Sequence, residues 1–309
     1  MEVTVEGRTL ALSNLGKVLY PADGFTKAEV IDYYAKIAPA ILPHLGDRAV
    51  TLRRFPNGPS GTSFYEKNCP KHRPEWLRTA PVQGEDGLID FCRIDSVAAL
   101  TWVANLAALE LHTPMARAED PDAPTMVVFD LDPGPPAGLV ECAEVALLIR
   151  HVLDDLGLDC LVKTSGSKGM QLYLPLNTPT THGRTAGFSR TVAQALESSD
   201  PKRVISVQTK RLRKGKVLVD WSQNSRHKTT VCVYSLRAQD QPTVSAPITW
   251  AEIEEVVAER DPSTLRFTAP DVLDRVERLG DLFAPAAALR QELPDLAFDD
   301  AKSTRIIRD

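Results

Sequence analysis

The sequence predicts a mixed α/β fold, an α+β layer built around a mixed sheet. Three observations carry that prediction. Between residues 126 and 198, short apolar runs of strand length alternate with amphipathic stretches of helix length. Gly, Ser and Pro clusters separate the runs. Two further apolar runs, 217–223 and 229–236, complete the set, and the mixture suggests a layered α/β or α+β arrangement.

Taken in order, residues 26–42 (TKAEVIDYYAKIAPAIL) open on Thr26, a natural N-cap, and place apolar side chains at helical spacing as far as Pro43. Residues 96–111 (SVAALTWVANLAALEL) read as a second, more apolar helix bounded by His112-Thr-Pro114. The acidic, Pro-rich stretch Ala118–Pro124 is the best module boundary. A strand over 126–132 follows, then a helix over about 139–156 closed by Gly157, a strand over 159–164, a Gly/Ser turn, a strand over 170–176 and a helix over about 184–198. From Trp250 onward the chain is helical and charged. These readings give a single domain in three stretches: an N-terminal module (1–117), a core (118–245) and a C-terminal helical segment (246–309). No internal repeat or low-complexity tract stands out.

The 309 residues, with 43% hydrophobic and 25% charged side chains and a net charge of −5, are enough for one large domain or two modest ones. No apolar run approaches the ~18 residues of a membrane span, and the N-terminus lacks a signal pattern. Five scattered cysteines (Cys69, Cys92, Cys142, Cys160, Cys232) argue against a disulfide framework and for a reducing cytoplasm. Cys69-Pro-Lys-His72 has the outline of half a zinc site, with no second pair nearby in sequence. Charge is unevenly spread: residues 202–216 hold seven Lys/Arg and no acid, so the rest of the chain sums to −12. Such a block fits either a solvated face or a contact to phosphate backbone.

Chemistry concentrates at VVFDLDPG, residues 127–134. Side chains two apart on a strand share a face, so Asp130 and Asp132 can converge. Like charges that close repel unless a cation neutralises them, and hard oxygen ligands suit Mg²⁺ or Mn²⁺. Asp220, ending the apolar run 217–220, could supply a third carboxylate and complete a site for two metal ions ~3.5–4 Å apart. On its own, D-x-D also fits an ordinary solvated strand end. The turn Thr164-Ser-Gly-Ser-Lys-Gly169 joins two strands, and its glycines, Ser165, Ser167 and Lys168 suit an anion. It lacks the spacing of a Walker A loop.

D-L-D, then S-G-S-K-G, then Asp220-Trp-Ser-Gln-Asn224, in that order and spacing, resembles the archaeo-eukaryotic primase superfamily, and within it the polymerase domain of bacterial ligase D and its stand-alone primase-polymerase relatives. The likeness spans most of the chain. It includes Asn14-Leu-Gly-Lys17-Val-Leu-Tyr-Pro21, Arg54-Phe-Pro-Asn-Gly58, Phe64-Tyr-Glu-Lys67, Leu111-His-Thr-Pro114, Lys228-Thr-Thr230 and Tyr234-Ser-Leu-Arg237.

The resemblance implies a primase-polymerase core with an RRM-like mixed sheet and an N-terminal α/β module. It implies two divalent metal ions, Mn²⁺ preferred or Mg²⁺. Asp130 and Asp132 would bridge both metals, and Asp220 would hold the one that activates the primer 3′-hydroxyl. Ser165, Lys168 and Arg237 would grip the triphosphate, and Tyr65 would stack on the incoming base with Phe64 packed beside it. Arg53, His112, Gln171, Gln223 and Lys228 match further positions around the nucleotide or primer terminus. Lys17 and Lys27, with Asn14, match the positions that bind a 5′-phosphate across a gap. Lys210, Arg211, Arg213, Lys214 and Lys216 would lie along template phosphates, binding without reading sequence. Expected partners are gapped or broken DNA with a 5′-phosphate, NTPs or dNTPs, a Ku-like end-binding protein and a separate ligase, in a bacterial, nucleoid-associated cytoplasmic setting. The activity implied is template-dependent filling of short gaps in DNA repair, with a preference for ribonucleotides. De novo priming, or a catalytically weak scaffolding role in end joining, are the alternatives.

Two departures qualify the resemblance. Where the superfamily has a His in its second motif, this chain has Gln171, which cannot carry charge. The loop Pro81–Gly87 is short and bears Glu85 and Asp86, which favours gap filling over the bridging of DNA ends. The chain reads either as a stand-alone polymerase or as an excised domain.

Overall fold

The computed structural model describes residues 1–297 together with 305 and 306. The chain forms two compact units, each drawn from three stretches. The first comprises residues 1–121, 229–246 and 267–284; the second comprises 122–228, 247–266 and 285–309.

In the first unit a four-stranded antiparallel sheet runs in the order Thr229–Val231, Ala108–Pro114, Thr51–Arg54, Phe64–Glu66. Its register sets Arg53 opposite both Tyr65 and Glu110, and His112 opposite Thr51. Directly opposed residues share a face, so Arg53, Tyr65, Glu110 and His112 all project from one side. The helix Lys27–Leu45 begins at a capping box, with Thr26 and Glu29 each bonding the other's backbone. It continues past the expected stop at Pro43, because its buried face (Tyr33, Tyr34, Ile37, Ile41) holds it by packing despite Pro39 and Pro43. The Tyr33 and Tyr34 hydroxyls donate to the carbonyls of Tyr234 and Leu109, at 2.8 Å and 2.7 Å.

Residues 96–111 do not form one helix. The helix ends at Asn105, Ala107 turns the chain at φ +57°, and Ala108–Pro114 is a strand. That strand is buried on both faces, so the alternation that betrays a half-exposed strand is missing. The apolar run 229–236 also departs from expectation: only Thr229–Val231 is strand, and it pairs within the first unit's sheet.

The cysteine expectation is corrected as well. Cys69 and Cys92 form a disulfide, with Cα atoms 4.7 Å apart. The backbone N–H of Cys69 donates to the Asp90 carbonyl at 2.7 Å, which draws the two segments together across 23 residues of sequence. Cysteine count therefore carries no argument about compartment, and Cys69 is not available as a thiolate ligand. The remaining three cysteines are free and buried. Between Cys69 and the second helix, Thr79–Gly84 and Gly87–Cys92 pair as a hairpin whose two-residue tip is Glu85-Asp86.

The second unit holds a six-stranded mixed sheet in the order Val204–Ile205, Val217–Asp220, Met126–Pro133, Met170–Pro175, Leu161–Thr164, Pro247–Ile248. The pairs are antiparallel except the first, which is parallel. Helices Leu139–Asp155 and His182–Ser199 both pack on the central Met126–Pro133 strand. Val127, Phe129 and Leu131 are fully buried, with the Phe129 ring 6.5 Å from that of Phe188 on the second of these helices. Alternate residues of the strand, Asp130 and Asp132, therefore project from the other face. The run expected as a strand over 217–223 stops at Asp220. There the Asp220 carboxylate accepts from the Ser222 N–H and turns the chain into the short 3₁₀ helix Trp221–Asn224. No helix among the described residues is long and apolar enough to cross a membrane.

Candidate active site

On the second unit, strand register gathers the acids. Asp130 lies directly opposite Asp220 on one neighbouring strand and opposite Gln171 on the other, and Lys163 lies opposite Gln171 one strand further. Asp130, Asp132, Asp220, Gln171 and Lys163 thus share a face. Burial, then the neighbouring Asp132 charge, pushes Asp130 up to about 7, while the Gln171 hydrogen bond pulls the other way. Asp132, at the solvent end of the strand, is raised by desolvation and then by Asp220, with Arg213 opposing. Such mutual repulsion is the signature of carboxylates arranged to meet a cation.

The donors around these acids are mostly neutral amides and hydroxyls. Gln171 Nε2 donates to Asp130 Oδ1 at 2.9 Å. Its Oε1 accepts from the buried Lys163 Nζ at 2.5 Å and from the Tyr173 hydroxyl at 3.2 Å. Asp220 Oδ1 accepts from Ser222 N and Oγ, and Oδ2 from the amides of Gln208 and Gln223, all within 2.7–3.2 Å. Among the described residues, no three Asp, Glu, His or Cys side chains form a ready-made ligand set. Asp130 and Asp132 share a face and offer hard oxygen donors of the kind a divalent ion takes. Asp220 is on the same face but its oxygens are occupied by these donors.

Two glycines set loops against this face. A side chain on Gly169 would lie 2.0 Å from the Leu131 carbonyl oxygen, so only glycine lets the Ser165–Gly169 turn pack on the Asp130–Asp132 strand. The Ser165 hydroxyl closes that turn, accepting from the N–H groups of Ser167 and Gly169; Lys168 is exposed. Gly134 likewise meets the Arg213 carbonyl, and its N–H donates to Lys216 O at 2.8 Å. The basic stretch is thereby pinned beside the acids, with Lys210, Arg211 and Lys214 exposed and Arg213 and Lys216 half-buried. Lys228 is exposed, in the turn after Ser225.

On the first unit, the sheet face carries a cationic group instead. Glu110, 1% exposed, accepts from Arg53 Nη1 at 3.2 Å and is bonded to His112 Nε2 at 3.0 Å, both through Oε2. Through Oε1 it accepts from the Ala238 N–H at 3.1 Å and pairs with Arg237 Nε at 3.2 Å. Although burial opposes ionisation, His112 and Arg237 hold its carboxyl down at about 2. His112 is lowered chiefly by burial, against the pull of Glu110, and stays neutral near pH 7. Tyr65, 59% exposed, lies over the Arg53 guanidinium at 5.2 Å and edge-on to His112 at 5.7 Å. Phe64 is not packed beside Tyr65. As its sequence neighbour on a strand, it faces the other way, over Arg54 at 5.2 Å.

A separate cavity of about 270 Å³ in the first unit is lined by Ser13, Asn14, Lys17, Lys27, Arg54 and Asn105, among others. Lys27, 5% exposed, donates to the Ser13 carbonyl at 2.6 Å, and Lys17 donates to Asn57 Oδ1 at 2.7 Å. Burial first, then the charges of Lys17 and Arg54, lowers the Lys27 pKa, as expected where cations await an anion. Sequence reasoning found these lysines but not Arg54, Glu110, Lys163 or Gln208. Glu110 could have been found as one half of a Glu-x-His pair on a strand; Lys163, as a lone cation in an apolar run.

Known proteins resemble this chain over most of its length. The family described as LigD, primase-polymerase domain, matches residues 26–283. The chain is 44% identical over 279 residues to the multifunctional non-homologous end joining protein LigD of Mycolicibacterium smegmatis, covering 90% of this chain and 36% of the relative. It is 29% identical over 272 residues to the bifunctional non-homologous end joining protein LigD of Bacillus subtilis, covering 88% and 43% respectively. It therefore spans well under half the length of these relatives. Among solved structures it resembles the polymerase domain of Mycobacterium tuberculosis ligase D in complex with DNA. The TM-score is 0.84 at 41% identity, over 91% of this chain and 99% of that one.

Proposed function

The chain belongs to the LigD primase-polymerase family, whose chemistry is DNA-directed, metal-dependent nucleotidyl transfer, and on that premise we propose that it fills short gaps in DNA that carry a downstream 5′-phosphate. The observation that carries the reading is the register that puts Asp130 opposite Asp220 with Asp132 on the same face. Asp130, Asp132 and Asp220 would hold the divalent cations, Mn²⁺ or Mg²⁺. Cations bound there lower the pKa of an attacking hydroxyl and neutralise charge on the α-phosphate and the departing pyrophosphate.

The chain's own residues do the rest. Ser165 and Lys168 hold phosphate oxygens on the second unit, while Arg53 and Arg237 supply charge and Tyr65 a stacking surface on the first. Lys210, Arg211, Arg213, Lys214 and Lys216 contact template phosphates without reading sequence. The cavity with Lys17, Lys27 and Arg54 binds the 5′-phosphate across the gap, and its cations, Lys27 buried and Lys17 exposed, favour a dianion over a hydroxyl. The setting is end joining, the process for which the LigD relatives are named; a Ku-like protein, a separate ligase and a preference for ribonucleotides extend from the family resemblance alone.

The test is extension with Mn²⁺ and nucleotides on a 5′-phosphorylated gapped duplex, beside an unprimed single strand. Product on the gap alone supports gap filling. Product on the bare strand supports de novo priming, and DNA binding without product supports a scaffolding role.

A further inference from the structure

Buried ion pairs are weak evidence for stability, so a buried carboxylate that collects several cations invites another explanation. Glu110 is such a group. One carboxylate serves two guanidiniums, an imidazole and a backbone N–H. Four donors fill its lone-pair positions, and the two guanidinium charges exceed its single negative charge. Among the described residues, the buried Nε of Arg53 has no hydrogen-bond partner, and that of Arg237 meets the Glu110 carboxylate as an ion pair at 3.2 Å. A network built only to stabilise the fold would be satisfied on both sides. This one is satisfied on the acid side and left with cationic surplus, and it opens where the Arg53 side chain, 30% exposed, meets Tyr65.

Arg237 is fixed from behind as well. Its carbonyl accepts from the buried Tyr20 hydroxyl at 3.0 Å and its N–H donates to Thr243 O at 2.8 Å. Bonding of His112 Nε2–H to Glu110 also selects the tautomer, leaving Nδ1 as an acceptor.

We propose that Glu110 is a positioning residue: touching no substrate itself, it holds Arg53 and Arg237 preformed to receive the anionic triphosphate of an incoming nucleotide, and orients His112 beside them. This rests on the reading that those three residues meet the nucleotide. Preformed cations lose less freedom on binding than cations assembled around the ligand, so the benefit appears in nucleotide affinity.

The experiment is steady-state gap filling with nucleotide varied, on Glu110→Gln, Glu110→Asp, Arg237→Ala and the Glu110→Gln/Arg237→Ala double variant. Thermal midpoint and gapped-DNA affinity are measured alongside. Glu110→Gln is expected to raise the nucleotide KM about tenfold, with kcat within about threefold and DNA affinity unchanged. Glu110→Asp keeps the charge but shortens the reach, and should raise KM less. If the Gln variant does not fold, the Asp variant carries the same test. In the double variant KM should rise by less than the product of the two single effects, because part of the carboxylate's effect runs through that arginine. The proposal is overturned if KM effects multiply, or if kcat, stability and DNA affinity fall together while KM holds. An unchanged KM in Arg237→Ala itself would instead overturn the nucleotide reading beneath it.

Discussion

Asp130 and Glu110 are the same chemical group set into two sheet faces, and they behave in opposite ways. Asp130 is pushed up to about 7 by desolvation and neighbouring acids; Glu110 is held at about 2 by the cations around it. Around Asp130 the surplus is negative, and the donors bonded to it and to Asp220 are neutral amides and a hydroxyl. Around Glu110 the surplus is positive: two guanidiniums share one carboxylate, and the Arg53 Nε has no hydrogen-bond partner among the described residues. The sign of the surplus names the ligand: a cation for the second unit's face, an anion for the first's.

The largest effect breaks the anionic face. Asp130→Ala with Asp132→Ala should lower gap-filling turnover by at least about 10³-fold, the rate equivalent of several kcal/mol of lost charge stabilisation. Gapped-DNA affinity by gel shift should stay within about threefold. Next comes the cavity of the first unit. Lys27→Ala should remove most of the advantage of a 5′-phosphorylated gap over an unphosphorylated one, by about tenfold in Kd, as for one charge-assisted hydrogen bond. Equal preference in both proteins would assign the 5′-phosphate elsewhere.

A pH series sharpens the contrast. Asp130's folded pKa, about 7, lies above the ordinary 3.8, so the folded state holds a proton that the unfolded state has released between those values. Its contribution is present below about pH 4 and lost as pH rises towards 7. Metal-free protein should therefore lose thermal stability from this group across pH 4–7, and Asp130→Asn should flatten the trend. Glu110, lowered to about 2 from 4.5, stabilises above pH 4.5 and loses that contribution only as pH falls towards 2. The smallest effect is at Gln171. A neutral His there can accept from Lys163 on one nitrogen and donate to Asp130 from the other, so Gln171→His should leave extension equal or raised. A large loss would mean that the flexible Lys163–Gln171–Asp130 chain has no imidazole equivalent.

Much of this was legible in the sequence where period and chemistry coincide. Thr26 and Glu29 mark the first helix, and Asp130-Leu-Asp132 ends a strand whose alternation separates acids from core. What escaped were features set by tertiary context. Ala108–Pro114 is buried on both faces and so resembled a continued helix. The Asp220 side chain ends its own strand by capping the next turn, which no apolar run can signal. Cys69 and Cys92 meet because the loop at Cys69 bonds the Asp90 carbonyl of the hairpin strand that ends at Cys92, not because of spacing. Glu110 and Lys163 are single charges inside apolar runs, and only register shows that each meets a functional side chain.

The central claim is tested most directly by a crossed binding measurement. Mn²⁺ binding by paramagnetic resonance and metal-free binding of a fluorescent nucleoside triphosphate are each measured on wild type, Asp130→Asn/Asp132→Asn and Glu110→Gln. The account predicts that the double Asn variant loses Mn²⁺ but keeps the nucleotide, and that Glu110→Gln loses nucleotide affinity but keeps Mn²⁺. Mn²⁺ binding that survives in the double Asn variant, or loss of both ligands in both variants, would contradict it.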